Sequence, residues 1–262
     1  MKIKIATWNI NSIRLRENHV CSLLLQFEPD ILCLQELKSP TKSVPTSRLD
    51  DLGYKYRVIR GEKGYNGVAI ISRIPLMDSG YHNYCQKDDS RHIFARLKNG
   101  VEIHNFYVPA GGDIPDREEN KKFAHKLDFL AEMKDNFSKK RLAKTILVGD
   151  LNIAPLEIDV WNHKQLSKVV SHTPEEVDSL NQVALAGNFV DIIRKNIPNG
   201  LLYSWWSYRS PNWSVSDRGR RLDHIWATGD IAMTGHSSFI FKDARFWERP
   251  SDHVPVFAEF EL

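Results

Sequence analysis

Short apolar runs that stop at a carboxylate or an amide recur along this chain, and they constrain its fold more than any other feature. Ile3-Lys4-Ile5-Ala6-Thr7-Trp8 runs into Asn9, and Ile31-Leu32-Cys33-Leu34 into Gln35-Glu36. Ile146-Leu147-Val148-Gly149 runs into Asp150-Leu151-Asn152, Arg221-Leu222 leads to Asp223, and Ser251-Asp252-His253 stands just before a last apolar run. Apolar runs of this length, rich in β-branched residues, read as strands of a sheet covered on at least one face. Polar groups at strand ends project past the sheet into a cleft, where such folds carry their sites. One Asp or Asn after a strand is ordinarily a turn residue or helix cap. A lone His253 would ordinarily be a hydrogen-bonded structural histidine. Five such places in one chain point instead to a shared site.

Strands are predicted over residues 2–8, 30–35, 67–71, 101–107, 145–148, 222–227, 237–241 and 254–260, and helices over 15–27, 115–136 and 174–186. No Gly/Ser linker, low-complexity tract or short repeat divides the chain. Its 262 residues are ample for one large core. Strands spread over both halves, with helices between them, predict an α/β fold with a two-sheet core flanked by helices, in a single domain over 1–262. Hydrophobic residues at 42% and charged residues at 26% exclude a mainly disordered chain. The net charge is only +3, so any nucleic-acid binding must use a local basic face.

Cys21, Cys33 and Cys85 show neither CxxC spacing nor an even count, and Cys21 and Cys33 lie in apolar runs, which reads as buried thiols in a reducing compartment. No run approaches the length of a membrane span, and the first ten residues alternate like a strand, without a signal-peptide core. A soluble, cytoplasmic protein is expected. Asn212-Trp213-Ser214 matches a glycosylation acceptor only formally.

Asp150 and Asn152 are two apart and, in an extended segment, would share a face. The candidate set is Glu36, Asp150, Asp223 and Asp252, the amides Asn9 and Asn152, and the imidazole of His253. Four converging carboxylates would repel one another. A hard divalent cation resolves that, and an oxygen-rich set selects Mg²⁺ or Mn²⁺ over Zn²⁺. HExxH, GxSxG and GxxxxGK[ST] are absent, and Gly61, Gly64 and Gly67 fit no dinucleotide fingerprint.

The segments TWNINSIR, DILCLQELK, GYNGVAIISR, NFYVPAGG, ILVGDLNIAP, GRRLDHIW and PSDHVPVFAEF occur in the order found in the exonuclease III class of abasic-site endonucleases, which the chain resembles from Trp8 to Phe260. That class lies within the endonuclease/exonuclease/phosphatase superfamily. The resemblance implies a four-layer α/β sandwich of the DNase I-like type, two packed mixed sheets with helices outside. It implies that Glu36 is the principal metal ligand, with Asn9 and Asp252 close to the same ion and Asp150, Asn152 and His253 bordering it. By the same resemblance Asp150 is the acid/base residue, Asn152 orients the scissile phosphate and Tyr107 stands near the leaving group. Asp223 orients His253, which contacts the phosphate. It leaves open whether Asp150 or Tyr107 moves the critical proton, and whether one metal or two act.

Damage recognition would fall in residues 204–223. Trp205 and Leu222 match walls of a pocket for a flipped abasic sugar, and Trp206 reads equally well as core. Arg209, Arg218, Arg220 and Arg221 are candidates for backbone phosphates with Trp213 beside them, and Arg91 matches a backbone-contacting arginine; a solvated loop is the plain alternative for the cluster. Arg220 departs from the pattern, standing where some relatives place an aromatic. Residues 83–90 and 110–116 look like family-variable loops.

The implied activity is Mg²⁺-dependent cleavage of duplex DNA 5′ to abasic sites, leaving a 3′-hydroxyl, with trimming or cleaning of 3′ ends. The partner is duplex DNA with abasic sites or 3′ ends, and the chain is expected to be monomeric. Two rivals are an inositol-phosphate or sphingomyelin phosphoesterase of the same superfamily, and a silent DNA-binding module.

Overall fold

The computed structural model describes every residue except 140, 141 and 211. Among these, twelve strands form: β1 (Lys2–Asn9), β2 (Ile31–Gln35), β3 (Tyr56–Arg60), β4 (Val68–Ser72), β5 (Leu76–Gly80), β6 (His92–Leu97), β7 (Glu102–Tyr107), β8 (Thr145–Asp150), β9 (Phe189–Asp191), β10 (Asp223–Thr228), β11 (Gly235–Ile240) and β12 (Val256–Glu261). They make two six-stranded sheets, ordered β11-β12-β1-β2-β4-β3 and β5-β6-β7-β8-β10-β9. Each sheet holds one parallel pair, β1 with β2 and β7 with β8, and its other pairs are antiparallel. A hairpin cannot join parallel neighbours. Helix α1 (Glu17–Phe27) makes the first crossover, and helix α2 (Lys121–Ser138) makes the second.

Four layers result. Ile3, Ile5, Ile31, Cys33, Val68 and Ile70 of the first sheet pack against Ile93, Ile103, Ile146, Val148 and Ile225 of the second. On the first sheet's outer face Trp8, Leu32, Leu34 and Ile71 meet Val20, Leu23 and Leu24 of α1. On the second's, Phe106, Leu147 and Trp226 meet Phe129, Leu130 and Met133 of α2 and Leu180 and Val183 of helix α3 (Pro174–Ala186). β2, β4 and β8 are buried on both faces, which is why their sequences are continuously apolar.

α3 spans the predicted residues, because Thr173 caps it, Pro174 opens it and Glu176 closes a reciprocal capping box. The long helix starts at Lys121, later than predicted. Asp116 Oδ1 accepts the N–H groups of Glu118 and Glu119 in a turn, and Asn120 then caps the helix through the N–H of Lys122. Among the described residues no helix is long and apolar enough to cross a membrane.

Candidate active site

Along the central strands, side chains facing the opposite sheet begin apolar and end polar. The rows are Ile3, Ile5, Thr7, Asn9 on β1; Ile31, Cys33, Gln35 on β2; Ile103, Asn105, Tyr107 on β7; and Ile146, Val148, Asp150 on β8. On antiparallel β10 the row runs backward, Ala227, Ile225, Asp223. The polar ends meet at one edge because both parallel pairs finish there. Asn9 pairs with Gln35, Tyr107 with Asp150, and Asp150 with Asp223. A neutral layer closes the core first: Gln35 Nε2 donates to Thr7 Oγ1 and Asn105 Oδ1, and Asn105 Nδ2 donates to the carbonyls of Leu34 and Ala69 in the opposite sheet.

The ionisable layer lies beyond it. Asn9, fully buried, donates through Nδ2 to Glu36 Oε1 and to Asp150 Oδ2, both at 2.9 Å. The Tyr107 hydroxyl donates to the same Glu36 oxygen at 2.8 Å. Burial, and then the carboxylates of Glu36 and Asp150, push the Tyr107 phenol well above its ordinary pKa, so it stays a donor. Asp150 Oδ1 accepts the N–H of Asn152 at 2.9 Å, a turn that leaves Asn152 with φ +54°. Asp150 and Asn152 therefore meet through this turn, and not through the extended segment that the sequence suggested. Asn152 Nδ2 donates to the Val108 carbonyl and to Asp150 Oδ2.

His253 Nδ1 donates to Asp223 Oδ2 at 2.8 Å, and its Nε2 lies 3.6 Å from Asp150 Oδ2. Burial would lower its pKa, but Asp223 and then Asp150 raise it to about 10, so it is an imidazolium at neutral pH. Burial, opposed by His253 and reinforced by Asp223, lifts Asp150 to about 7. Two serines hold these groups in place. Ser204 Oγ accepts the N–H groups of Leu222 and Asp223, and Ser251 Oγ donates to the Asn9 carbonyl while accepting the N–H of His253.

Lys38 and Asn11, which the sequence reading passes over, complete the site. Lys38 Nζ sits 2.7 Å from Glu36 Oε2 and donates to Asn11 Oδ1; Asn11 Nδ2 in turn donates to Asp252 Oδ1. Lys38, with Asn9 and Tyr107 donating, holds the Glu36 carboxyl below its ordinary pKa against the cost of burial. Their only signal is position, two residues beyond Glu36 and Asn9.

The donor set suits a hard divalent cation. Four carboxylates (Glu36, Asp150, Asp223, Asp252), with Asp150 titrating near neutral pH, outnumber the cations of Lys38 and His253, and the free donors are oxygens. Asp150, Asp223 and His253 bring potential ligand atoms within 4.8 Å of one another. An imidazolium has no lone pair to offer, however, and its proton already compensates Asp223. With Nδ1 committed to Asp223, His253 borders the carboxylates as a donor and turns Nε2 toward Asp150. The Asn9 N–H groups bridge two carboxylates, and its Oδ1 accepts the N–H of Asn11 with one lone pair and keeps the other. Glu36, Asp252 and Asp150 offer carboxylate oxygens to a metal, and Asp223 Oδ1 is buried with no hydrogen-bond partner among the described residues.

Glu36, Tyr107, Asn152, Asp252 and His253 line a cavity of about 690 Å³. Its other wall carries Trp205, Arg209, Arg218, Arg220 and Leu222. Trp205 Nε1 donates to Asp252 Oδ2 at 3.0 Å, Arg218 lies over the Trp161 ring, and Leu222 is buried. Trp213 packs outside this wall against Trp206 and Phe246, and Trp206 is core. Arg91 is engaged with Asp89 and the Tyr107 carbonyl.

Arg221 is corrected outright. It is 1% exposed and forks onto both oxygens of Asp159 at 2.8 and 2.9 Å, with Nη1 on Asp191 at 2.7 Å, so its guanidinium is enclosed by protein carboxylates and does not face the cavity.

A family model described as the Endonuclease/Exonuclease/phosphatase family matches residues 6–253. Exodeoxyribonuclease III of Haemophilus influenzae is 29% identical over 273 residues, covering 99% of this chain and 100% of that protein. Among solved structures, the 3′ phosphatase NExo from Neisseria, bound to product DNA hairpin, matches with a TM-score of 0.92 and 32% identity over 99% of this chain and 100% of that one. An AP endonuclease from Archaeoglobus fulgidus matches at 0.91 and 33%, with the same coverage. With the match running nearly end to end across a site already assembled from its own residues, the chain belongs to the endonuclease/exonuclease/phosphatase family, in its exonuclease III and AP endonuclease class.

Proposed function

We propose that this protein is a Mg²⁺-dependent DNA phosphodiesterase, with Mn²⁺ as a possible substitute, that cuts duplex DNA 5′ to abasic sites, leaves a 3′-hydroxyl and processes 3′ ends. The carrying observation is that one cavity joins the Asn9–Glu36–Tyr107–Asp150–His253 constellation to a wall of Trp205, Arg209, Arg218 and Arg220. Arginines beside an aromatic suit a phosphate backbone and an exposed sugar or base. The names borne by the relatives in Haemophilus influenzae and Archaeoglobus fulgidus support the same substrate. The chain is read as one domain over residues 1–262, acting as a monomer in the cytoplasm.

Phosphodiester hydrolysis needs neutralised oxygens, a water in line with the leaving oxygen, and a proton for that oxygen. The imidazolium of His253, oriented by Asp223, stabilises charge on the phosphate. Asp150, lifted to about 7, takes the proton of the attacking water near neutral pH. The Asn152 side chain orients the phosphate, and Tyr107 keeps its proton to support the leaving 3′-oxygen. Held by Glu36, Asp252 and Asp150, the divalent cation would add charge neutralisation at the non-bridging oxygens.

A labelled duplex with one tetrahydrofuran abasic analogue tests this, beside an undamaged duplex, in Mg²⁺ or EDTA. A single Mg²⁺-dependent cut 5′ to the analogue is expected. Glu36→Gln and Asp150→Asn should each lower the rate by at least about 10³-fold in a folded protein. No product on either duplex would overturn the proposal, and retained cleavage in either variant would remove that residue from the mechanism.

A further inference from the structure

We infer that Arg220 is a specificity-determining residue that favours 3′ ends blocked by a phosphate ester bearing a carboxylate, such as a 3′-phosphoglycolate, over ends bearing a neutral group of the same size. The inference rests on the nuclease reading above and names the lesion chemistry that the cavity fits.

Arg220 lines the cavity, and among the described residues no carboxylate pairs with it. Arg221 and Arg194 are paired with Asp159, and Lys126 with Glu176. Arg220 has no carboxylate within 4 Å among the described residues. Its Nη1 donates to the Val170 carbonyl at 2.7 Å and to Ser171 Oγ. Its Nε is buried without a partner, and its Nη2 has no protein acceptor among the described residues. The guanidinium lies 5.3 Å from the Trp205 ring centroid. Burial presses its pKa down, with only Glu176 opposing. A half-buried, unpaired cation is costly, and a ligand anion recovers that cost.

The backbone places this cation relative to the chemistry. Trp205 forms bridges with Arg220 on one side and His253 on the other. The backbones of Arg220 and His253 therefore lie two strand spacings apart, about 10 Å, on either side of Trp205. A scissile phosphate at His253 can extend its non-DNA substituent along Trp205 toward Arg220. Trp161, Val169 and Leu222 add apolar wall to the cavity, with Arg218 over the Trp161 ring. A neutral remnant would satisfy these walls and leave the guanidinium unpaired, whereas a carboxylate on a one-carbon arm satisfies both. In the reaction a water oxygen bonds to phosphorus and the P–O3′ bond breaks. One water proton ends on the 3′-oxygen, the other is released through Asp150, and phosphoglycolate departs with its carboxylate unchanged.

The test uses gapped duplexes whose 3′ margin carries either phosphoglycolate or an ethyl phosphate ester, with the tetrahydrofuran duplex alongside. Wild-type kcat/KM should favour the phosphoglycolate end by roughly 10- to 100-fold, the discrimination that one hydrogen-bonded charge pair supplies. R220M should bring the ratio of the two ends close to one, and R220K should retain part of it. The wild-type ratio needs no variant, so a poorly folded R220M cannot shelter the inference. Cleavage of the tetrahydrofuran duplex with a wild-type ratio near one, or with neither blocked end processed, would overturn this inference alone. A ratio unchanged in R220M would also overturn it. No cleavage of any duplex would overturn the nuclease reading and this inference with it.

Discussion

Replacing Arg221 by Met tests whether that residue belongs to the fold or to the DNA. The side chain is 1% exposed and carries three charge-assisted hydrogen bonds, two to Asp159 and one to Asp191. Removing one partner of a buried ion pair costs about 3–5 kcal/mol, because the other charge is left stranded. Two features discount this. Arg194 still pairs with Asp159, and the Asp191 side chain is 21% exposed. A loss of about 3 kcal/mol is expected at pH 7, which lowers Tm by roughly 6–12 °C in a chain of this size. Against the effect of burial, Arg221 holds the carboxyls of Asp159 and Asp191 below the ordinary range. Depressed folded-state values stabilise the protein above the unfolded pKa of about 3.9, and that stability is lost as the pH falls through the folded values. The gap between wild type and R221M should therefore narrow below about pH 4. Urea unfolding followed by tryptophan fluorescence gives both numbers. The salt dependence of duplex binding should keep its slope in R221M, while Arg218→Ala should flatten it by about one. A flattened slope in R221M with stability within about 0.5 kcal/mol of wild type would refute the assignment.

Three further outcomes are expected. Gly149 has φ +137°, and a Cβ there would stand 1.9 Å from the Phe106 carbonyl oxygen, so Gly149→Ala should cost at least about 2–3 kcal/mol; an unchanged Tm would show that β7 and β8 can separate freely. Asn105→Leu strands the Gln35 amide and should cost about 2–3 kcal/mol, and adding Gln35→Met should recover part of it, with denaturant melts of the double-mutant cycle as the check. Mg²⁺ at 100 times its dissociation constant should stabilise the wild type by about 2.7 kcal/mol, so equal Tm gains in wild type and Glu36→Gln would remove Glu36 from the metal's ligands.

The parts of the fold written into the sequence are those whose environment is uniform. β2, β4 and β8 are covered on both faces and read as unbroken apolar runs, and α3 carries its own cap in Thr173-Pro174. β6 alternates Ile93, Ala95 and Leu97, but its run starts at His92 and ends in Leu97, without a carboxylate or amide to mark it. β5 gives little signal, being an edge strand with exposed Met77, Asp78 and Ser79, and β9 has three residues. At the site, strand ends pointed to Glu36, Asp150, Asp223 and His253. Arg218, Arg220 and Arg221 are near neighbours of one chemical type, and only what lies across from each separates them: the Trp161 face, the Trp205 face, and the buried Asp159 and Asp191. Those partners come from distant segments, so no local window holds the distinction.

The rows that run from Ile3 to Asn9 and from Ile146 to Asp150 make the reactive groups the last rung of the hydrophobic interior. Such a centre has no slack of its own. A sheet that slips by one residue turns Asp150 and Tyr107 away from Glu36 and at the same time takes Val148 and Ile103 out of the core between the sheets. Catalytic competence and cohesion of the sandwich should then fail together on denaturation, with no folded but idle stage between them. The side chains of Arg218 and Arg220 lie outside those rows, on a loop whose backbone alone, through Ser204 and Trp205, is tied to the ladder. Substitutions at Arg218 and Arg220 should therefore alter which lesion is held while leaving the reactive groups in place.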